Sequence, residues 1–189
     1  MAITFSGLLK LALMTAQQPR LGARVVLGQN LPMAARWTAL AFTAIASALS
    51  IHLTLALMPP SEAVLPGPVM LAILQGGVML VTAVAIHNIG RWRGGRGRFE
   101  DAVLLMAWLQ FTMLCLQVVQ MAVMLVAPLL ADMIGLAGIV LFLWLLTAFV
   151  AELHGFSSLG AVFAGIMGTI FALALLLSVV LASVIGAPV

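Results

Sequence analysis

Charge is what this chain has least of. Lys, Arg, Asp and Glu make up 7% of its 189 residues and apolar types 65%, which excludes a water-soluble domain, where about a quarter of residues are charged. Tyrosine is absent, and there is one cysteine. Cys115 has no second thiol to pair with, so a disulfide framework and a cysteine-based zinc site within one chain are both excluded. Lysine is nearly absent too: of the eight basic residues only Lys10 is not an arginine, and no Gly-Lys followed by Ser or Thr occurs. A Walker-type phosphate loop, which needs that ammonium and hydroxyl, is therefore ruled out. The charge of +3 and pI near 10.6 would suggest nucleic acid for a soluble chain. In a membrane chain the same excess is what an anionic lipid surface selects, so lipid and not nucleic acid is the expected partner.

Long uncharged runs are what the sequence has instead. About 20 apolar helical residues cross a hydrocarbon layer, and five such runs are present: Trp37 to Met58 before Pro59-Pro60, Val69 to Gly90 after Pro66-Gly67-Pro68, Ala102 to Ala127 before Pro128, Met133 to Val150, and Leu159 to Ala187. The expected fold is an all-α integral membrane protein. It comprises a bundle of five transmembrane helices over residues 37–189, with spans near 37–58, 69–90, 102–127, 133–150 and 159–187, preceded by a cytoplasmic segment, 1–36. That segment lacks the compact charged, apolar and cleavage regions of a signal peptide and is expected to be retained. Ser6, Lys10 and Gln17 share one stripe while Leu8, Leu9, Leu13 and Met14 supply apolar surface, and Arg20 and Arg24 stand one turn apart beside Leu21 and Val25. Two short amphipathic helices lying on the cytoplasmic surface fit this pattern.

Orientation follows from the basic residues, which cytoplasmic loops retain. Lys10, Arg20, Arg24 and Arg36 precede the first span, Arg91, Arg93, Arg96 and Arg98 separate the second from the third, and the two opposite loops hold none. The N-terminus is expected inside and the C-terminus in the periplasm; arginine in place of lysine suits a GC-rich bacterial genome and hence an inner membrane. The glycine-rich stretch around the second arginine group follows a span, so it is no dinucleotide-binding loop, which needs a strand before it. It reads as a cytoplasmic turn whose four arginines, with Arg20 and Arg24, meet lipid headgroups at about 1 kcal/mol each. Lysine should serve as well there. A dock for a partner protein is the other reading.

Polar residues inside the runs need partners. Thr43, Ser47, Ser50 and Thr54 form one stripe, and Gln110, Gln117 and Gln120 one side of the third span; helix packing is expected of both. Gly160, Ala164 and Gly168, then Ala174, Ser178, Ala182 and Gly186, repeat small residues along the last span and allow close approach within the bundle or between subunits. His52 reads as a lone interfacial imidazole. The topology brings His87, Asn88, Glu152 and His154 to one cytoplasmic face, where a divalent metal, a proton relay or a structural hydrogen bond are the options. Nothing there has His-Glu-x-x-His spacing, and neither metal nor cofactor is expected. Asp132 is the remaining titratable candidate. Gly155-Phe156-Ser157-Ser158 has the look of a nucleophile motif, yet the last span offers no histidine as base, so Ser157 and Ser158 are expected to cap a helix and no catalytic residue is expected.

Three stretches resemble a known family. Gly94-Gly95-Arg96-Gly97-Arg98-Phe99-Glu100-Asp101-Ala102, leading into the third span, is similar to the Gly-Gly-x-Gly-x-Phe pattern of the Ypt-interacting protein (Yip) domain family. "WLLTAFVAELHGFSSLGAVFAGI" from Trp144 resembles its fourth-to-fifth helix passage, and "QQPRLGARVVLGQNLPMAARWTALA" from Gln17 the lead-in of bacterial members. In eukaryotic members the family implies Golgi and endoplasmic-reticulum trafficking with Rab-type GTPases, engaged partly through a longer hydrophilic N-terminal region than is present here. The resemblance implies no catalytic residues. It implies a non-enzymatic membrane scaffold or adaptor, partnered by other membrane proteins or by further copies of itself. An oligomeric transporter for a small solute or ion is the alternative, disfavoured because the midplane carries amides, hydroxyls and Gly76-Gly77 but no charge.

Overall fold

Proline and small polar residues decide where the helices begin. The computed structural model describes residues 4–57 and 66–185, and its regular structure there is entirely helical: α1 (Phe5–Gln17), α2 (Pro19–Leu27), α3 (Met33–Leu57), α4 (Pro68–Trp92), α5 (Phe99–Met124), α6 (Pro128–His154) and α7 (Leu159–Ile185). Thr4 caps α1, its Oγ1 accepting from Gly7 N at 3.3 Å. Pro19, Pro68 and Pro128 open α2, α4 and α6, where the missing N–H costs nothing and φ is already helical. Pro128 thus starts a helix in addition to ending a run, which is why α6 begins ahead of Met133.

Among the described residues, four helices, α3 to α6, are long and apolar enough to cross a membrane. α7 is apolar over its described stretch, Leu159–Leu175. The Pro59-Pro60 break, Ser61, Gly186 and Ala187 lie outside the described residues.

The bundle is organised around α5, which packs on α3, α4 and α6 and, along its first half, on α1 and α2 as well. Every residue from Ala102 to Leu109 is buried. A helix apolar all round needs neighbours all round, and the N-terminal hairpin completes that ring. α7, by contrast, leans on α6 alone among the described elements.

The surface-lying picture of α1 and α2 needs correction on this point. Both are short and amphipathic, but they dock into the side of the bundle. Thr15 is fully buried; its hydroxyl donates to Leu11 O at 2.7 Å and accepts from Trp108 Nε1 at 3.1 Å. Trp108 is nine residues into α5, about 14 Å along its axis, so α1 reaches well down the bundle. Gly22 lets α2 close over this contact, because a Cβ there would lie 2.4 Å from Thr15 Oγ1. The sequence pattern found the amphipathicity but not the tryptophan that receives it. Phe5, Leu9 and Leu13 remain exposed on the outer side of α1.

Candidate functional site at the arginine end

The two basic groups of the sequence lie at the same end of the bundle and are used differently. Arg36 is buried; it donates Nε to Leu31 O at 2.8 Å and pairs through Nη1 with Asp101 in the first turn of α5. Arg20 donates to Phe156 O at 2.7 Å and to Ser157 O at 3.5 Å, in the loop joining α6 to α7. Arg24 grips Glu152 with two nitrogens, Nε and Nη2. That bond and charge raise the Arg24 pKa above its ordinary value. The loop after α6 has no basic residue of its own; α2 supplies Arg20 to the loop and Arg24 to the last turn of α6.

His154 ends α6 and is buried. Gly97 N donates to Nδ1 at 3.2 Å, which fixes the proton on Nε2, and Nε2 in turn donates to Ile86 O at 3.1 Å. The ring stacks on Phe156 with centroids 5.5 Å apart. Added Cβ atoms at Gly90, Gly95 and Gly97 would come within 2.1, 2.3 and 2.6 Å of His154 or its neighbour Leu153. The glycines of the loop therefore mould a socket for this imidazole, linking α4, α6 and the turn between α4 and α5. Gly94, at φ 85°, supplies the left-handed residue that the turn requires, and Gly155, at φ 73°, does so for the end of α6.

Of the expected polar cluster, then, His154 reaches the α4–α5 turn, Glu152 turns to Arg24, and Asn88 is exposed. His87 lies edge-on to Phe99 at 6.0 Å, and its Nδ1 is buried with no hydrogen-bond partner among the described residues. No group of three metal-ligating side chains occurs among those residues. Ser158 caps α7, accepting from Ala161 N at 3.2 Å, while Ser157 contributes its carbonyl to Arg20. Asp132 is exposed at the other end of the bundle.

Outside this cap, Gln110 donates to Ser47 Oγ at 2.8 Å, joining α5 to α3. Gln120 donates to Ala131 O at 3.1 Å across the α5–α6 turn, and Gln117 is half-buried. Thr43 and Thr54 bond to carbonyls of their own helix, and Ser50 is half-buried. His52 likewise donates Nδ1 to Ala48 O at 3.0 Å. On α7, Gly160 and Gly168 face open space.

The second arginine group is left exposed. Arg98 pairs with Glu100, whereas Arg91, Arg93 and Arg96 have no carboxylate partner among the described residues. Arg91, Arg96 and Arg98 line an open basin of about 570 Å³ together with His87, Phe99 and Glu100. This arrangement of uncharged spans under a cross-linked polar cap defines a polytopic helical membrane protein. The sequence pattern of the Yip1 domain matches residues 15–181, and the chain belongs to that family. No match was found among curated proteins or among solved structures.

Proposed function

We propose that this chain is a non-enzymatic scaffold that organises a bacterial inner membrane, with the arginine end in the cytoplasm and α7 completing a fifth crossing. The observation that carries the reading is the division of labour among the arginines. Arg20, Arg24 and Arg36 are consumed in holding the cap together, while Arg91 and Arg96 present free guanidiniums to the basin at the bundle's end, where anionic headgroups or an acidic partner would meet them. Phe5, Leu9 and Leu13 give α1 an outward apolar stripe that continues the lipid-facing surface of the bundle. The void between α4, α5 and α6 is about 10 Å³, room for one water at most, so the interior there gives a transporter reading no support.

Orientation is tested by cysteine labelling in a Cys115→Ala background. Ser61→Cys should react with an impermeant thiol reagent in intact cells and Arg93→Cys should not. Arg93 is the right position for the inner probe because a side chain at Gly95 would collide with His154. The scaffold itself is tested by purification in mild detergent. Replacing Arg91, Arg93, Arg96 and Arg98 by Gln should remove co-purifying anionic lipid or protein, and replacing them by Lys should retain it. Solute flux by the purified protein in vesicles would overturn the reading in favour of transport.

A further inference from the structure

The basin at the end of α4 is more than a patch of positive charge. Arg91 comes from the last turn of α4, Arg96 from the glycine turn, and His87 from one helical turn further back. The start of α5 lines the basin too, with Arg98 at the N-cap giving its side chain to no first-turn amide. Those amides carry the positive end of the helix dipole and lack intrahelical acceptors. Of the carboxylates nearby, Asp101 pairs with Arg36, and Glu100, which itself lines the basin, is neutralised there by Arg98. Arg91 and Arg96, neither paired with a carboxylate among the described residues, are thus left facing one cavity that His87 also lines.

We infer that this basin is a binding site for a phosphomonoester, which deepens the headgroup-contacting role proposed above and rests on it. The charge matches. A phosphomonoester carries about two negative charges at neutral pH and offers three acceptor oxygens, enough for two guanidiniums and the backbone amides of a helix start together. A carboxylate would leave one arginine uncompensated. The open basin, about 570 Å³, has room for a phosphate group. Exposed Trp92 beside Arg91, and Trp37 near Phe99, are the residues that sit at headgroup level in membrane proteins. The ligand is the headgroup of a lipid such as phosphatidic acid or a soluble phosphate, and the chemistry of capture is the same.

Arg93 makes the site falsifiable. It lies in the same turn, equally exposed and equally charged, but does not line the basin. Full-length protein in detergent is titrated with dioleoyl phosphatidic acid against dioleoyl phosphatidylcholine, and adducts are read by native mass spectrometry. A parallel arm follows protection from unfolding by inorganic phosphate at constant ionic strength. Phosphatidic acid should be retained over phosphatidylcholine, and binding should fall roughly tenfold in Arg91→Gln and in Arg96→Gln but change little in Arg93→Gln. Lys at either position should restore most of it. Protection by inorganic phosphate with the same pattern would assign the site to phosphate from any source; its absence, with the lipid effect intact, would assign it to a lipid headgroup. An equal fall in all three Gln variants would overturn the site and leave only a diffuse basic surface, as would indifference to both ligands. Because the measurement is made in detergent, it stands or falls independently of the labelling test of orientation.

Discussion

Arg36 and Arg96 are the same residue at the same end of the molecule, and they do opposite things. Arg36 is buried against Asp101 and the Leu31 carbonyl, so its charge is an internal fastener. Arg96 is exposed and gives the fold only its backbone N–H, to His154 O at 3.4 Å. A count of basic residues treats the two groups alike, and orientation rules need nothing more. The difference is that carbonyls and carboxylates of α5, α6 and the following loop had to be satisfied as the cap closed, and α2 and the start of α3 were close enough to do it. The α4–α5 turn spent its glycines on His154 and left its guanidiniums outward.

The contrast can be broken most severely at the socket. Gly90→Val should drive the His154 ring out of place, losing two hydrogen bonds and overpacking the cap. The expected cost is about 4 kcal/mol or outright loss of folded protein in detergent; Gly77→Ala on the same helix, where a Cβ meets nothing within 4 Å, should melt like the parent. Arg36→Gln comes next, at about 3 kcal/mol, because it strands Asp101 without its partner. The double variant Arg36→Met with Asp101→Leu should recover part of that loss, which a double-mutant cycle on melting temperature would reveal. Trp108→Phe should cost about 1–2 kcal/mol by leaving the buried Thr15 hydroxyl short of a donor, seen as faster proteolysis of the N-terminal hairpin. Arg24→Gln is expected to have the smallest effect, since its pair with Glu152 is largely exposed on the arginine's side.

Much of this fold was legible in the sequence, for a definite reason. Apolar run length and proline position report directly on helices in a bilayer, so α3 to α6 fall where uncharged runs predict them, with shifts of a few residues where Pro128 begins a helix. Gln110 and Ser47 each stood in a polar stripe, but only the folded bundle pairs them. The socket was not legible. It joins residues 64 positions apart, Gly90 to His154, and no local period links a glycine turn to a histidine on another helix. The same holds for Arg24 with Glu152 and for Thr15 with Trp108. One signal was within reach: Gly94-Gly95-x-Gly97 and a histidine at the end of a span both required the same loop end, and a glycine is needed where another side chain comes close. Glu152 and His154, two residues apart on α6, point in different directions, which is how one reaches α2 and the other reaches α4.

The division of labour is tested most directly by two triple variants matched in charge, Arg20, Arg24 and Arg36 to Gln, and Arg91, Arg93 and Arg96 to Gln, each melted in detergent beside the parent. Both remove three positive charges, so any effect of net charge cancels between them. If the first group holds the cap and the second serves the membrane, the first variant should lose about 10 °C or more in melting temperature and the second no more than a few degrees. Equal losses, or a larger loss in the second, would contradict the account.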